Sequence, residues 1–280
     1  MRLDRFLTET GRATRSAARK LIWSGRVSVN GSVLRDPSAR ILELSDEIRL
    51  DGEHVRYAAF EYYMLHKPAG VISASRTTER DGQVRCAADL ITDSLRKDLF
   101  PAGRLDKDTE GLLLLTNDGA LAHSLLSPRR HVEKIYYARL DGTPGGEAVH
   151  RLEAGADIGE DKPTMPCRIR LLGSDSCLIA IREGRYHEIR RMFGTEGLEV
   201  QYLKRLTMGS LCLDPELPAG AYRPLTDQEL ASLKASGAGG RNGADGADLL
   251  EELLKGDLLS RLIPGTKEAD REKTEQCMTE

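Results

Sequence analysis

Three carboxylates on alternate positions, Asp106, Asp108 and Glu110, precede a glycine and four leucines in GRLDKDTEGLLLLTNDG, residues 103–119. Acids spaced in this way could hold a cation, decorate a solvated turn, or supply one catalytic acid among bystanders. As a calcium loop they would occupy positions one, three and five, with Gly111 at six. The second half does not follow: position twelve, which needs a bidentate Glu, is Asn117, and Leu112 to Leu115 fill what should be an exposed polar loop. No metal is therefore expected. Two readings stay open: a polar turn with Arg104 and Lys107 as ion-pair partners, or a carboxylate held rigidly at the mouth of a cleft.

The elements around these acids decide how they could be held. The leucine run reads as a buried strand leading into TNDGALAHSL, where Asn117 and Asp118 can cap a helix. YYMLHKPAGVISA reads as a strand ending at Pro68, which has no ladder donor, followed by a turn at Gly70. KIYYARLDG, CRIRLLG and CLIAIREG are strand-like, whereas ALAHSLLS and HEIRRMFGTEG have helical spacing. Strands outnumber helices and several are adjacent, which predicts an α+β domain over residues 60–233. Its sheet is expected to be mixed and largely antiparallel, flanked by helices.

Charge divides unevenly along the 280 residues. The net charge is −3, yet residues 1–40 hold nine Lys/Arg against three Asp/Glu, +6 at that end and −9 in the remainder. In the basic end, Leu3, Phe6 and Leu7 have helical spacing, and Gly11 breaks the run. Thr14 can cap a second helix with Ala17, Ala18, Leu21 and Ile22 on its apolar side. Val27 and Val29 then precede an Asn-Gly turn, a hairpin signal. Arg15 and Arg19 share one face of the second helix, with Lys20 beside them. By itself such a face could be an ordinary solvated one.

Five scattered cysteines without a CxxC pair argue against a disulfide framework and suggest a reducing cytosol, so a cytoplasmic location is expected. No apolar run approaches membrane-spanning length, and the N-terminus is charged instead of signal-like. ASGAGGRNGADGAD reads as a flexible linker. Leu249, Leu250, Leu253, Leu254, Leu258 and Leu259 follow as a short amphipathic helix interrupted by Gly256, before a charged end. Residues 236–280 are assigned no chemistry, and their helix could dock on the body or on a partner.

RLDRFLTETGRATRSAARKLIWSGRVSVNG resembles the S4 RNA-binding module, which implies an S4-like domain over residues 1–52. That resemblance makes Arg5, Arg15, Arg19 and Lys20 candidate contacts to RNA phosphates. GRLDKDTEGLLLLTNDG resembles the signature of RsuA-type pseudouridine synthases, and HKPAG, SPRRHVEKIYY and EGRYHEIRRMF match the family's other blocks in order and spacing. An S4 module in front is that family's usual architecture.

The resemblance implies an isomerase that breaks the C1′–N1 bond of a uridine in RNA, rotates the base and rejoins it through C5, without cofactor or metal. It makes Asp106 the catalytic acid, Tyr136 the ring that stacks on the flipped uracil, and Arg190 the cation that grips Asp106. Arg190 stands where a compared family member has Lys. Arg191 is the alternative, since successive helical side chains diverge by about 100°. His187, three residues before Arg190 on the expected helix, is read as structural or as an RNA contact. Arg104 is read as an RNA-phosphate or base-displacing contact, Lys67 and Pro68 as support for the cleft wall, and Tyr137 as core. LSPRRHVEK, EGRYHEIRRMFGTEG and LPAGAYRPLT look most like the small-subunit enzyme. The implied partner is ribosomal RNA, 16S by preference, or a pre-ribosomal small-subunit particle, met by a monomer. The short connection near residues 52–60 would let the S4 module move on the body if the substrate is such a particle. The competing expectations are the same chemistry on 23S rRNA and a non-catalytic S4 assembly factor.

Overall fold

The computed structural model describes residues 1–75, 85–127, 130, 132–237, 248–255 and 257–263. The expected linker residues 238–247 and the charged end from residue 264 lie outside the described residues. Among the described residues no helix is long and apolar enough to cross a membrane.

Helices α1 (Leu3–Glu9) and α2 (Arg15–Trp23) pack on a four-stranded antiparallel sheet of β1 (Val27–Val29), β2 (Ser32–Val33), β3 (Ile48–Leu50) and β4 (Glu53–His54), in the order β2-β1-β3-β4. Thr14 caps α2 by accepting the Ala17 N–H (3.4 Å). Asn30 and Gly31 both take positive φ in the β1–β2 hairpin, the backbone that favours an Asn-Gly turn. Leu3, Phe6, Leu7, Ala18 and Ile22 are fully buried against Val27 and Ile48.

This module is tied to the larger body by Glu9, whose carboxylate meets Arg96 Nη1 at 2.8 Å and whose carbonyl accepts the Lys97 N–H at 3.0 Å. The Arg96 guanidinium also lies over the Tyr57 ring, which stacks on Phe6.

The body is one mixed sheet of nine strands. They are β5 (Tyr62–Lys67), β6 (Phe100–Pro101), β7 (Glu110–Thr116), β8 (Lys134–Leu140), β9 (Arg168–Leu171), β10 (Ser176–Ile181), β11 (Val200–Met208), β12 (Leu211–Cys212) and β13 (Tyr222–Pro224). The main order is β13-β5-β7-β11-β8-β10-β9, with β6 on β7 and β12 on β11. Among the described strands every pairing is antiparallel except β7 with β11. The fold is α+β, as the sequence pattern predicts.

The leucine run shows why β7 is central. Leu113 and Leu115 point to one face, with Leu65, Tyr136, Ala138 and Ile179; Leu112 and Leu114 point to the other, with Met64, Tyr137 and Leu178. All four leucines are completely buried, worth roughly 1.5–3 kcal/mol each. The first face carries α4 (Gly146–Ala154) and α5 (Glu188–Thr195); the second carries α3 (Gly119–Leu126) and α6 (Asp227–Gly237). Asp118 caps α3 through the Leu121 N–H (3.0 Å), whereas Asn117 instead bonds the backbone of Ala59 and Glu61.

The C-terminal leucines form two short helices, α7 (Leu249–Lys255) and α8 (Leu258–Leu262). They dock on the second face through Leu250, Leu253, Leu259 and Leu262, with the Leu262 carbonyl accepting from Lys204 Nζ at 2.8 Å.

The parallel seam is close. Gly111 sits opposite Arg205 with φ +101°, and a Cβ there would lie 2.2 Å from the Arg205 carbonyl oxygen. Backbone cannot yield as a side chain does, so Gly111→Ala is expected to destabilise the body by about 3 kcal/mol or more. A urea midpoint close to that of the unchanged protein would contradict this account of the seam.

Candidate active site

Asp106 lies in the loop between β6 and β7, and its neighbours are fixed on both sides. Ser73 Oγ accepts the Leu105 N–H (3.0 Å) and donates to the Leu105 carbonyl (2.9 Å). Gly70, at φ +84°, donates its N–H to the Lys107 carbonyl (2.8 Å). The Lys67 ammonium, at the end of β5, donates to the carbonyls of Pro68 (3.1 Å), Lys107 (3.1 Å) and Thr109 (2.8 Å). The Thr109 N–H closes the turn on the Asp106 carbonyl (3.2 Å). Lys67 is fully buried, and desolvation brings its pKa down to about 8 against the opposing pull of Asp108, Glu110 and Asp106.

The facing wall is the loop from β10 into α5. Glu183 accepts from the Met165 N–H (2.6 Å) and from Arg185 Nε (2.9 Å), while the Arg185 guanidinium donates to the carbonyls of Lys162 and Pro163. Glu188, buried at the first turn of α5, accepts the Arg185 N–H (2.8 Å). Desolvation, reinforced by Glu183, pushes the Glu188 carboxyl up to about 7. This bracing presents His187 with left-handed backbone (φ 49°) and its Nε2 3.5 Å from Asp106 Oδ1.

Between the walls is an open cleft lined by Arg104, Asp106, Tyr136, His187, Glu188 and Arg190 with apolar neighbours. Tyr136 is buried on the cleft face of β8; Tyr137 points to the opposite face, edge-on to Tyr202.

The structure gathers Arg104, Asp106, Tyr136 and Arg190 at one cleft and ties Lys67 to the loop that follows Asp106, with Pro68 lending Lys67 its carbonyl, but two expected contacts differ. Arg190 does not grip Asp106. It donates to Asp108 Oδ2 (2.8 Å) and to the Val200 carbonyl (2.7 Å), because the start of β11 anchors it two residues further along the acid loop. Arg191 does not replace it, being turned to Glu160 and the carbonyl of Ile158. His187 is not on the helical face of Arg190 either, since it precedes α5 as a left-handed cap. The three carboxylates diverge: Asp106 to His187, Asp108 to Arg190, and Glu110 to the Tyr202 hydroxyl (2.7 Å). Among the described residues, no cluster of His, Cys, Asp and Glu could hold a metal ion.

In the basic module, Arg15 and Lys20 are exposed, Arg5 pairs with Glu9 (2.6 Å), and Arg19 meets the buried Asp4 (3.3 Å). Ser73, Arg185 and Glu188 were not singled out from the sequence. A lone serine carries no signal, whereas Arg185 and Glu188 lie within the EGRYHEIRRMF block and could have been weighed there.

The chain matches the family model described as RNA pseudouridylate synthase over residues 61–195, and the S4 domain model over residues 1–48. The ribosomal small subunit pseudouridine synthase A of Pseudomonas aeruginosa is 39% identical over 83% of this chain and 100% of that protein. The chain belongs to the RsuA-type family of RNA pseudouridine synthases. It is therefore an isomerase with an S4 module in front of its catalytic body. The synthase is also 41% identical to an uncharacterised RNA pseudouridine synthase of Bacillus subtilis, over 82% of this chain and 97% of that one. It is 37% identical to the ribosomal large subunit pseudouridine synthase B of Bacillus subtilis, over 86% and 98%. A crystal structure titled pseudouridylate synthase aligns with a TM-score of 0.58 at 35% identity, covering 83% of this chain and 99% of that one.

The buried ammonium predicts a pH dependence. As Lys67 loses its proton above about pH 8, it keeps two donors for three carbonyls, and the acid loop loosens. Activity is expected to fall on an alkaline limb near that pH. The fold itself should gain through this group between about pH 8 and its unfolded value near 10.5, because there the unfolded chain binds the extra proton. Lys67→Met should lower kcat by about a hundredfold through misplacement of Asp106 and remove this group's limb. Pseudouridine formation followed across pH, with thermal melting alongside, tests both parts; wild-type kcat in the variant would refute the role.

Proposed function

We propose that the synthase isomerises a uridine of 16S ribosomal RNA, with Asp106 as the catalytic carboxylate. The observation that carries this is the position of Asp106: its backbone is pinned on both sides, while its carboxylate projects into a cleft lined by Tyr136. The reaction breaks N1–C1′ and forms C5–C1′, the proton leaving C5 and one being gained at N1. A fixed carboxylate can serve this by adding to uracil C6, by forming an ester at C1′, or by taking the C2′ proton. The target uridine would enter after leaving its stack, with its ring on Tyr136 and Arg104 and Arg190 near its phosphates. The S4 module would contribute affinity through Arg5, Arg15, Arg19 and Lys20. No cofactor is needed in this scheme. A monomer acting in the cytoplasm, on rRNA or on a small-subunit particle, suits that substrate.

The name of the Pseudomonas relative and the block LSPRRHVEK favour the small subunit; the large-subunit relative in Bacillus favours 23S rRNA as the second reading. Carbodiimide-stop mapping of total rRNA from cells with and without the gene separates them. One site lost from 16S supports the proposal, one lost from 23S replaces the substrate, and unchanged rRNA refutes both.

Asp106→Asn should reduce turnover by about three orders of magnitude or more, a barrier increase of about 4 kcal/mol, with RNA affinity near normal. Retained activity would remove Asp106 from the chemistry. Changing Arg5, Arg15 and Arg19 together to Ala should weaken RNA binding and make the salt dependence of log Kd shallower by about two to three units. An unaltered slope in filter-binding titrations would mean that these arginines do not neutralise phosphates.

A further inference from the structure

Tyr186 is 74% exposed, the most exposed large side chain with an apolar body among the described residues of the catalytic body. It stands on a loop that cannot fold it away, since Glu183, Arg185 and Glu188 brace that loop through side-chain hydrogen bonds on either side. Its carbonyl is held as well, accepting from Arg191 Nη1 at 3.2 Å. One face of the Tyr186 ring lies flat on the His187 imidazole, with centroids 3.9 Å apart and planes within 16°. His187 in turn adopts the left-handed backbone and reaches 3.5 Å from Asp106. An aromatic ring is thus displayed one ring thickness beyond the residue that faces the proposed catalytic acid, beside the cleft that His187 lines.

We propose that Tyr186, backed by His187, is a stacking platform for the nucleobase adjacent to the target uridine. This rests on the reading of the cleft as a uridine site. When a uridine leaves its stack, its neighbour loses a partner, and a flat ring beside the pocket replaces it. The two bases would then occupy separate surfaces, the target against Tyr136 and its neighbour on the outer face of Tyr186. Because the loop is braced before RNA arrives, little ordering cost is added on binding. A nucleobase is the occupant that suits this ring: the platform is flat, backed by a residue that lines the cleft, and carried on a loop whose Tyr186 carbonyl holds the Arg191 guanidinium. Any base can stack there, and the larger purines should be favoured.

The test uses the whole protein and a 15-nucleotide single-stranded RNA with one uridine among purines, made also with each purine in turn replaced by an abasic residue. Wild-type protein should bind less tightly when one particular neighbour of the uridine is abasic, by about tenfold. Tyr186→Ala should bind the intact RNA about tenfold more weakly and be indifferent to that same abasic position, whereas Tyr186→Phe and Tyr186→Trp should behave as wild type. With rRNA as substrate, the Ala variant's loss should fall on KM more than on kcat. Equal affinity of the Ala variant, loss in the Phe variant as large as in the Ala variant, no abasic-sensitive position, or no binding of this RNA by wild type would each overturn the platform. Failure of the isomerase reading is separate, being read as the absence of new pseudouridine in rRNA whatever the binding data give.

Discussion

One ammonium group sealed under a loop governs the geometry of the synthase's cleft. Burying a lysine charge is costly unless its protons find acceptors, and Lys67 finds three, all backbone carbonyls. Two of these belong to the segment that follows Asp106, so the strand that ends at Pro68 and the loop that carries the acid become one unit. The carboxylates of that loop help to keep the lysine charged, and the charged lysine keeps the loop in place. The backbone on either side of Asp106 is thereby fixed.

The same choice recurs across the cleft face. Lys134 donates to the Val132 carbonyl and Arg205 to that of Leu112, and both side chains are buried. A buried cation held by carbonyls keeps its net charge, whereas one held by a carboxylate would be cancelled. Lys67, Lys134 and Arg205 therefore lay a positive potential beneath the site. That potential suits a substrate made of phosphates.

Features that follow from local chemistry were legible in the sequence. The Asn30-Gly31 hairpin, the Thr14 and Asp118 caps, and the buried leucine strand all form as their residue types require. So does the division of Tyr136 and Tyr137 between faces, which strand alternation dictates. What escaped depended on distant packing. Strand β11 was missed because VQYLKRLTM places Lys204 and Arg205 where burial is not expected, and only the carbonyls of Leu262 and Leu112 make that burial tolerable. The partner of Arg190 differs from the one the resemblance implies because the start of β11 holds the guanidinium beside Asp108. The left-handed backbone of His187 is likewise imposed by the braced loop, not by its own type.

The parallel seam between β7 and β11 has a consequence in time. Strands β5 and β7 are neighbours in space, with only β6 between them along the chain, and can pair as soon as both have been synthesised, Lys67 ending the first and Asp106 preceding the second. The parallel partner of β7, β11, and the His187 wall come from much later in the chain. At roughly 5–20 residues per second, about 5–20 s separate the emergence of Asp106 from that of Arg205. During that interval the acid loop exists without its opposite wall, and the nascent chain waits on the ribosome with a half-built cleft.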